Sequence, residues 1–350
     1  MVVETVADLL LTLEQVAAEE VEPQQRHLQR HPHPAVEGPA VPNMLHSQSF
    51  RAMGTDMLVC VDNGSDIPPA ELENVPLWFE EWEDILSRFR ADSELTRLNR
   101  TSSWLVPVSD TLWQVFQSSL FAEKYTDGLV TPTVGTAVIE SGYDRDFNLF
   151  ANQILSPFEF EPQTVRSLAS VTWDELTHSI NLPEGVELDF GGIAKGWAAE
   201  QVVQRLKHHG SALMNCGGDI YMSGPLLNGA PWEVGIHRPF DRSSGYIGMM
   251  YFRQPCGVAT SATDRRRWMQ GETMRHHIID PNTGMSARSD VVSTTIVAPT
   301  AVEAETAAKS VLIRGSEEGL AWLELNPALA GLIMLENGNI LYSQRINEYL

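Results

Sequence analysis

Short β-strand patterns joined by tight glycine turns fill most of this chain, and only a few helical stretches interrupt them. Strand-like segments occur at 48–62, 170–190, 212–222, 231–237, 246–253, 257–261, 276–279 and 291–298, with a closing hairpin at Asn337-Gly338. Helical periodicity occurs at 68–90, 109–126, 193–209, 301–313 and 317–325, and Thr300 with Glu303 predicts a capping box at the start of the 301–313 helix. Because this mixture lacks a regular strand–helix–strand alternation, it predicts an α+β fold with mixed, mainly antiparallel sheets flanked by helices.

The first 46 residues differ in character from the rest. Apolar residues such as Val6, Leu9 and Leu13 recur at helical spacing, which predicts an amphipathic helix over 2–20. Residues 21–46 are rich in proline and histidine and are typical of a flexible linker. We therefore predict a folded domain over 47–350, built as one or two lobes, and we interpret the linker histidines as solvated rather than metal-binding.

The charge of the chain excludes several classes of partner. The 350 residues contain 24 Lys+Arg and 46 Asp+Glu, which gives a net charge of −22. Such an acidic surface repels phosphate backbones, so we expect neither nucleic acid nor anionic membranes as partners. No apolar run is long enough to cross a bilayer, and no basic stretch precedes an apolar leader. We therefore expect a cytoplasmic protein without direct membrane insertion, in which the three cysteines pack as small apolar residues.

The most informative segment runs from Asp189 to Trp197 and reads Asp-Phe-Gly-Gly-Ile-Ala-Lys-Gly-Trp. A strand pattern ends at Asp189, Gly191 and Gly192 turn the chain, and a helix follows. Paired glycines allow close backbone approach, a helix start attracts anions, and Lys195 adds a positive charge. The segment indicates a phosphate cradle, although an ordinary strand-to-helix turn would read the same way.

Four further segments are weaker when taken alone. Asn215-Cys216-Gly217-Gly218-Asp219 is either a hairpin turn or a polar pocket wall. His276-His277-Ile278-Ile279-Asp280 places a histidine near a carboxylate, where it could take a proton at neutral pH or simply pack in a sheet. Thr131–Gly135 reads as a loop. Residues 87–99 read as a helix end, a turn and a new helix capped by Asp92 or Ser93.

Taken together, these segments resemble the FAD:protein FMN transferase (ApbE) family, in order along the chain from about Phe50 to Ile340. The matching segments are Met53-Gly54-Thr55, the run 87–99, Pro132-Thr133-Val134-Gly135, Gly191-Gly192-Ile193-Ala194-Lys195-Gly196, Asn215 with Gly217-Gly218-Asp219, Ala259-Thr260-Ser261, and His277-Ile278-Ile279-Asp280-Pro281. The resemblance implies a cleft that holds FAD as substrate. It implies that FMN passes from FAD to a Ser or Thr hydroxyl of an acceptor flavoprotein, within a Ser/Thr-Gly-Ala-Ser/Thr motif, and that AMP is released.

The same resemblance assigns roles to residues of this chain. It implies that His277 is the catalytic base and that Asp280 orients it or holds the turn. Residues implied to bind FAD are Met53, Thr133, Asp189, Gly191, Gly192, Lys195, Asn215, Gly217, Gly218, Asp219, Thr260 and Ser261.

The implied magnesium site departs from the family pattern. The family places a backbone carbonyl, an Asp and a Thr around the ion, and these positions match Ala194, Glu305 and Lys309. A charged lysine offers no lone pair to a metal, and Glu–Lys at i,i+4 is ordinarily a helix salt bridge. Two interpretations stay open: either Glu305, Ala194 and water hold Mg²⁺, or the ammonium of Lys309 replaces part of its charge. Thr306 is a further candidate ligand.

Three functional hypotheses follow. The first is an FMN transferase. The second is an FAD diphosphatase that passes FMN to water, and the third is a non-catalytic FAD-binding protein. Further departures at Thr131, where the family often has Asp, and at Ala262-Thr263-Asp264 concern metal use and the acceptor side more than FAD binding.

Overall fold

An eight-stranded, wholly antiparallel sheet forms the centre of the computed structural model, which describes residues 44–101, 104–150, 154–155, 163–241 and 245–350. The strands are β1 (Leu45–Ala52), β2 (Thr55–Asp62), β3 (Val106–Pro107), β4 (Ile154–Leu155), β5 (Thr172–Asp174), β6 (Ser179–Asn181), β7 (Ser211–Cys216), β8 (Asp219–Met222), β9 (Trp232–His237), β10 (Tyr246–Phe252), β11 (Cys256–Ala262), β12 (Arg267–Gln270), β13 (Thr273–His276), β14 (Ile279–Asp280), β15 (Met285–Ser286), β16 (Val291–Ala298), β17 (Ala330–Leu335) and β18 (Ile340–Tyr342). The large sheet has the order β1-β2-β7-β8-β11-β16-β17-β18. The remaining strands form small sheets, with a parallel pair only between β4 and β12 among the described pairings.

Helices lie between and after these strands. The α-helices are α1 (Val75–Leu86), α2 (Glu94–Asn99), α3 (Asp110–Tyr125), α4 (Gly135–Glu140), α5 (Ala194–Leu206), α6 (Ala301–Arg314) and α7 (Ser316–Leu325). Short 3₁₀ segments cover Ala70–Asn74, Pro132–Val134, Phe147–Leu149, Leu168–Ser170 and Gln344–Glu348. The arrangement confirms the predicted α+β class with mainly antiparallel sheets. Within the described ranges, none of the helices combines the length and apolar character needed to span a bilayer.

The described residues test the amino-terminal predictions at only one place. The predicted helix at 2–20 lies outside the described residues, as does most of the predicted linker. Residues 45 and 46, which the sequence predicts as part of that linker, belong to β1. The domain boundary otherwise stays a prediction.

Helix starts follow local capping chemistry. At α6 the hydroxyl of Thr300 accepts a hydrogen bond from the Glu303 amide, and the Glu303 carboxylate accepts one from the Thr300 amide, each at 3.1 Å. This confirms the expected capping box. At α2 the cap is Ser93, whose hydroxyl accepts from the Thr96 amide at 3.0 Å. These caps satisfy orphan N–H groups and fix where each helix begins.

Two hairpin tips depend on left-handed backbone. Met53 and Gly54 join β1 to β2 with φ angles of 47° and 68°. Gly217 and Gly218 join β7 to β8 with φ angles of 67° and 108°. Two-residue hairpins with positive φ match the twist of the paired strands, which explains the glycines. Met53 is the exception, because a non-glycine residue there is strained.

The core lies where α5 and α6 pack against the large sheet. α5 contacts β7 and β8, α6 contacts β11 and β16, and the two helices contact each other. At their crossing a Cβ added to Gly196 would lie 2.7 Å from the Ala301 carbonyl oxygen, so the glycine permits close approach. α6 belongs to two apolar clusters: Ala301 and Val302 pack with α5 and α1, whereas Ala304 to Leu312 pack with β16 and α7.

Candidate active site

A cavity of about 380 Å³ opens where the β1–β2 hairpin tip, the 189–192 turn and the segment around His277 meet. Its apolar and aromatic wall includes Phe89, Tyr143 and Phe147. The ionisable side chains and histidine on its wall are Glu83, Arg88, Arg90, Asp146, Asp189, Lys195, Arg266, His277 and Lys309. A cavity of this size falls within the range of about 300–1,000 Å³ that is usual for small-molecule sites.

The 189–192 turn is built by Asp189. One oxygen of its carboxylate accepts a hydrogen bond from the Gly191 amide at 2.6 Å, and the other receives the Arg88 Nε at 2.7 Å. The Ala194 amide then donates to the Phe190 carbonyl at 2.8 Å, and α5 begins at Ala194. Asp189 therefore lines the cavity, but both of its oxygens have protein partners.

A buried charge network lies behind this turn. Glu305 is fully buried, and its Oε1 accepts hydrogen bonds from the ammonium groups of Lys195 and Lys309, each at 3.0 Å. Its Oε2 accepts from the Gly196 amide at 2.8 Å, so the carboxylate caps the first turn of α5. The Lys195 ammonium also contacts the carboxylate of Asp219. Two ammonium groups and two carboxylates thus neutralise one another.

The network fixes the protonation state of its central carboxylate. Burial raises the pKa of Glu305, but the charges of Lys195 and Lys309 and the Gly196 amide outweigh burial and lower it to about 2. Burial also lowers the pKa of Lys195, against the attraction of Glu305. Glu305 is therefore ionised throughout the neutral range.

His277 lies on the same cavity wall as the glycine turn. Burial lowers its pKa well below 6.5, and the charges of Arg266, His276, Lys309 and Lys195 act in the same direction. Its Nδ1 has no hydrogen-bond partner within the described part of the chain. The imidazole is therefore neutral at pH 7 and has a ring nitrogen that none of the described residues binds.

Asp280 has a structural position. Its side chain accepts from the Asn282 amide at 2.9 Å, and its carbonyl accepts from the Thr283 and Gly284 amides. Asp280 is not one of the described residues on the cavity wall. Of the two roles we considered, the geometry favours holding the turn over orienting His277.

The structure brings only part of the predicted set to the cavity. Met53, Asp189, Gly191, Gly192, Ala194, Lys195, His277 and Lys309 line it, and Asp219 and Glu305 reach it through Lys195. The others lie elsewhere. Thr133 is buried against Thr131, and Asn215 accepts from the Gly218 amide at 2.8 Å, which stabilises the turn at Gly217 and Gly218. Thr260 is paired with Thr295 on β16, and its neighbour Ser261 is buried in β11.

Three arginines on the wall, Arg88, Arg90 and Arg266, were not among the predicted site residues. The Arg88 guanidinium stacks over the rings of Phe89 and Tyr143, at 4.1 and 4.7 Å from their centroids, and its buried Nη2 has no described hydrogen-bond partner. Arg266 forms no ion pair with any described carboxylate. The run at 87–99 predicts a helix cap and carries part of the family resemblance, but sequence alone does not show which way its arginines point.

The residues matched to the magnesium site do not fit a divalent cation in this arrangement. Both oxygens of Glu305 are already in use, and the Lys309 ammonium takes the place of an oxygen ligand. Two unit charges about 4 Å apart interact by about 4 kcal/mol at an effective dielectric of 20, so an added dication would be repelled by both lysines. Thr306, the further candidate, is buried in α6, and its hydroxyl has no hydrogen-bond partner among the described residues.

The fold and the cavity together define an α+β protein with a small-molecule site whose wall has more basic than acidic side chains and a neutral histidine. Residues 53–333 match the ApbE family model, and the chain belongs to this family. The expected resemblance is thereby confirmed.

Individual relatives agree over most of the chain. The FAD:protein FMN transferase of Treponema pallidum (strain Nichols) is 30% identical over 289 residues, which is 77% of this chain and 78% of the relative. That of Vibrio cholerae is 30% identical over 255 residues, or 71% of this chain and 74% of the relative.

Solved structures share the fold. The ApbE protein of Thermotoga maritima superposes with a TM-score of 0.77 at 23% identity, covering 87% of this chain and 99% of that one. The flavin transferase ApbE of Vibrio cholerae gives a TM-score of 0.71 at 23% identity, covering 88% and 100%.

Proposed function

We propose that this chain transfers the FMN part of FAD to a Ser or Thr hydroxyl of an acceptor flavoprotein and releases AMP. The observation that carries the proposal is one cavity that holds a glycine turn, two lysines and an unprotonated histidine with a free ring nitrogen. The curated names of the relatives support the same reaction.

The donor end needs positive charge near the diphosphate. In the transfer, the acceptor oxygen bonds to the phosphorus of the FMN phosphate while the bond from that phosphorus to the AMP phosphate breaks. Positioning and charge stabilisation supply most of the catalysis in such a step. Lys195, Lys309 and Arg266 line the cavity where this charge would develop.

The acceptor end needs a base. His277 is neutral at pH 7 and takes the proton of the attacking hydroxyl, which makes the oxygen a better nucleophile. The diphosphate of bound FAD brings negative charge close to the cations that lower the His277 pKa. Binding of FAD therefore raises that pKa and makes the imidazole a stronger base in the loaded enzyme.

The aromatic side of the cavity suits the flavin. Arg88, Phe89 and Tyr143 form a stacked wall next to the glycine turn. Flat aromatic ligands stack on such faces, and the unpartnered Arg88 nitrogen can donate to a ring carbonyl. Met53 borders the same space. Its backbone has a strained, positive φ angle, and its amide donates a hydrogen bond to the Glu83 carboxylate at 2.8 Å.

The partner follows from the reaction. The acceptor is a flavoprotein that presents the Ser/Thr-Gly-Ala-Ser/Thr motif. We also propose a cytoplasmic location, supported by three buried, unpaired cysteines. Burial raises the pKa of both Cys60 and Cys256 to about 12, so these thiols are unreactive.

Magnesium is the part of the resemblance that the residues present do not support. The Ala194 carbonyl, Glu305 and Lys309 occupy the matching positions, but both Glu305 oxygens already accept hydrogen bonds and Lys309 is positively charged. The steps above therefore assign charge stabilisation to side chains of this chain.

The test is incubation of the full chain with FAD and a peptide bearing the acceptor motif, read by mass spectrometry. We expect the acceptor mass to increase by one FMN in a phosphoester, with AMP in equal amount. A peptide with both hydroxyl residues changed to Ala is the matched control. His277→Ala should abolish transfer and leave FAD bound, as measured by flavin fluorescence.

Other outcomes support the rival hypotheses. AMP and free FMN formed at the same rate without acceptor would indicate an FAD diphosphatase. Tight FAD binding without any turnover would indicate a binding protein. Unchanged transfer in His277→Ala would remove the imidazole from the mechanism.

A further inference from the structure

The buried network is complete without an added ion. Glu305 shares one oxygen between two ammonium groups at 3.0 Å and gives the other to a backbone amide. Asp219 neutralises the remaining charge at Lys195. A buried carboxylate needs such partners, and here lysines of this chain provide them.

Lys309 lies directly against the glycine turn. A Cβ built on Gly192 would lie 3.3 Å from the Lys309 Cε and 3.9 Å from its Nζ. The side chain is 16% exposed and lines the cavity together with Lys195. A charged ammonium has three donors, and the described contacts use one of them for Glu305. The others are available to a ligand in the cavity.

A lysine in this place offers what a dication offers to a diphosphate. Both put fixed positive charge next to phosphate oxygens, and the ammonium adds directed hydrogen bonds. The difference is that the lysine is covalently fixed and cannot be removed by a chelator. The same lysine repels any dication that approaches Glu305.

We propose that Lys309 takes the place of a divalent cation at the FAD diphosphate, so that FMN transfer by this chain is independent of metal. This rests on the proposed function. Lys309 then contacts the substrate itself, with Lys195 beside it and Glu305 holding both in position.

The experiment measures initial rates of FMN transfer by the full chain after EDTA treatment, with and without added Mg²⁺. We expect the two rates to agree within about twofold, because side chains supply the charge. Lys309→Met keeps the length but removes the charge, and should lower the metal-free rate about 100-fold, as for loss of one electrostatic donor. Lys309→Arg is the charge-retaining control and should keep metal-free transfer.

A second readout does not depend on activity. Mn²⁺ binding is followed by electron paramagnetic resonance, with and without FAD. The wild-type chain should bind no Mn²⁺ at the site, whereas Lys309→Thr, which removes the repelling charge and adds a hydroxyl, should gain binding and Mg²⁺-stimulated transfer. The wild-type measurement needs no variant, so misfolding of a mutant leaves the test intact.

The outcomes separate the two claims. Wild-type transfer that stops in EDTA and returns with Mg²⁺ would overturn the role of Lys309 but support the proposed function. Saturable Mn²⁺ binding at this site in the wild-type chain would also overturn it. Absence of transfer under both conditions would overturn the proposed function, and with it this inference.

Discussion

Glu305 is the residue on which the site depends, because it joins α5 and α6 through charge rather than through apolar contact. It is fully buried, and two of its three partners, Lys195 and Lys309, line the cavity. A buried ion pair contributes little net stability against an apolar replacement, but removal of one partner is costly. The network therefore fixes the positions of Lys195 and Lys309 relative to Glu305. Disruption of the network should lower the free energy of unfolding.

We expect Glu305→Gln to lower the free energy of unfolding by about 3 kcal/mol, because it leaves two lysine charges without their shared counter-charge. Urea denaturation followed by circular dichroism measures this. Glu175→Gln, on an exposed turn, is the control and should change stability by less than about 0.5 kcal/mol. Equal effects of the two substitutions would contradict the buried network.

The pH dependence of stability provides an independent check. The pKa of Glu305 is lowered to about 2 in the folded chain, against an ordinary value of 4.5. The stability that its ionisation contributes is therefore fully present above pH 4.5 and is lost as the pH falls towards 2. The difference in stability between wild type and Glu305→Gln should shrink over this window.

The protonation state of His277 predicts how the activity depends on pH. Its pKa lies well below 6.5 in the free enzyme, so the base is not protonated as the pH falls from 7 to 6.5. The profile of kcat/KM for FAD reports the free enzyme, and its acid limb from this group should lie well below pH 6.5. An acid limb at pH 6.5 or above would show that the imidazole is ordinarily basic.

At the scale of elements, the crossing of α5 and α6 positions the two lysines. Gly196 leaves no room for a side chain, because an added Cβ would meet the Ala301 carbonyl oxygen at 2.7 Å. The same residue donates its amide to Glu305. Gly196 therefore both permits the close packing of α5 against α6 and contributes a hydrogen bond to the charge network.

Gly196→Ala should destabilise the chain by about 1–2 kcal/mol, since overpacking costs about 1–3 kcal/mol and the gain in helix propensity of about 1 kcal/mol offsets only part of it. Urea unfolding measures the change. Gly248→Ala is the control, because its new methyl would lie 3.9 Å from its nearest neighbour, Ile236. A stabilised Gly196→Ala protein would mean that the helices can move apart freely.

Elements were predictable from sequence where the signal is local. The Thr300–Glu303 capping box and the i,i+4 pair of Glu305 and Lys309 are read within one helix turn, and the structure confirms both. The Lys195–Glu305 contact joins residues 110 apart in sequence, and it depends on which strands are neighbours in the sheet. Arg88 was missed for the same reason, since its partner Asp189 is brought to it only by the tertiary fold.

At the scale of the whole molecule, a strongly acidic chain surrounds a cationic cavity. The net charge is −22, whereas the cavity wall has five Lys or Arg side chains against three Asp or Glu side chains. An approaching FAD is therefore first repelled at long range by the acidic chain and then attracted at short range by the basic side chains of the cavity. Salt screens the long-range repulsion more strongly than the short-range attraction, because the repulsion acts over distances beyond the Debye length.

We expect the association rate of FAD to rise as ionic strength increases from about 0.01 M to 0.15 M, over which the Debye length falls from about 30 to about 8 Å. Stopped-flow flavin fluorescence measures it. Riboflavin, which lacks the phosphates, is the control and should associate at a rate that salt leaves unchanged. A rate for FAD that falls with salt would show that local attraction dominates the whole approach.

The membership of α6 in two apolar clusters has a consequence for how the molecule opens. Its first residues pack with α5 and α1, and the remainder packs with β16 and α7. Because α6 contributes residues to both clusters, the helix cannot leave one cluster while it stays packed in the other. We therefore expect the two clusters to unfold together. Amide protons in the middle of α6 should consequently be among the last to exchange with deuterated solvent, and they should do so only through global unfolding.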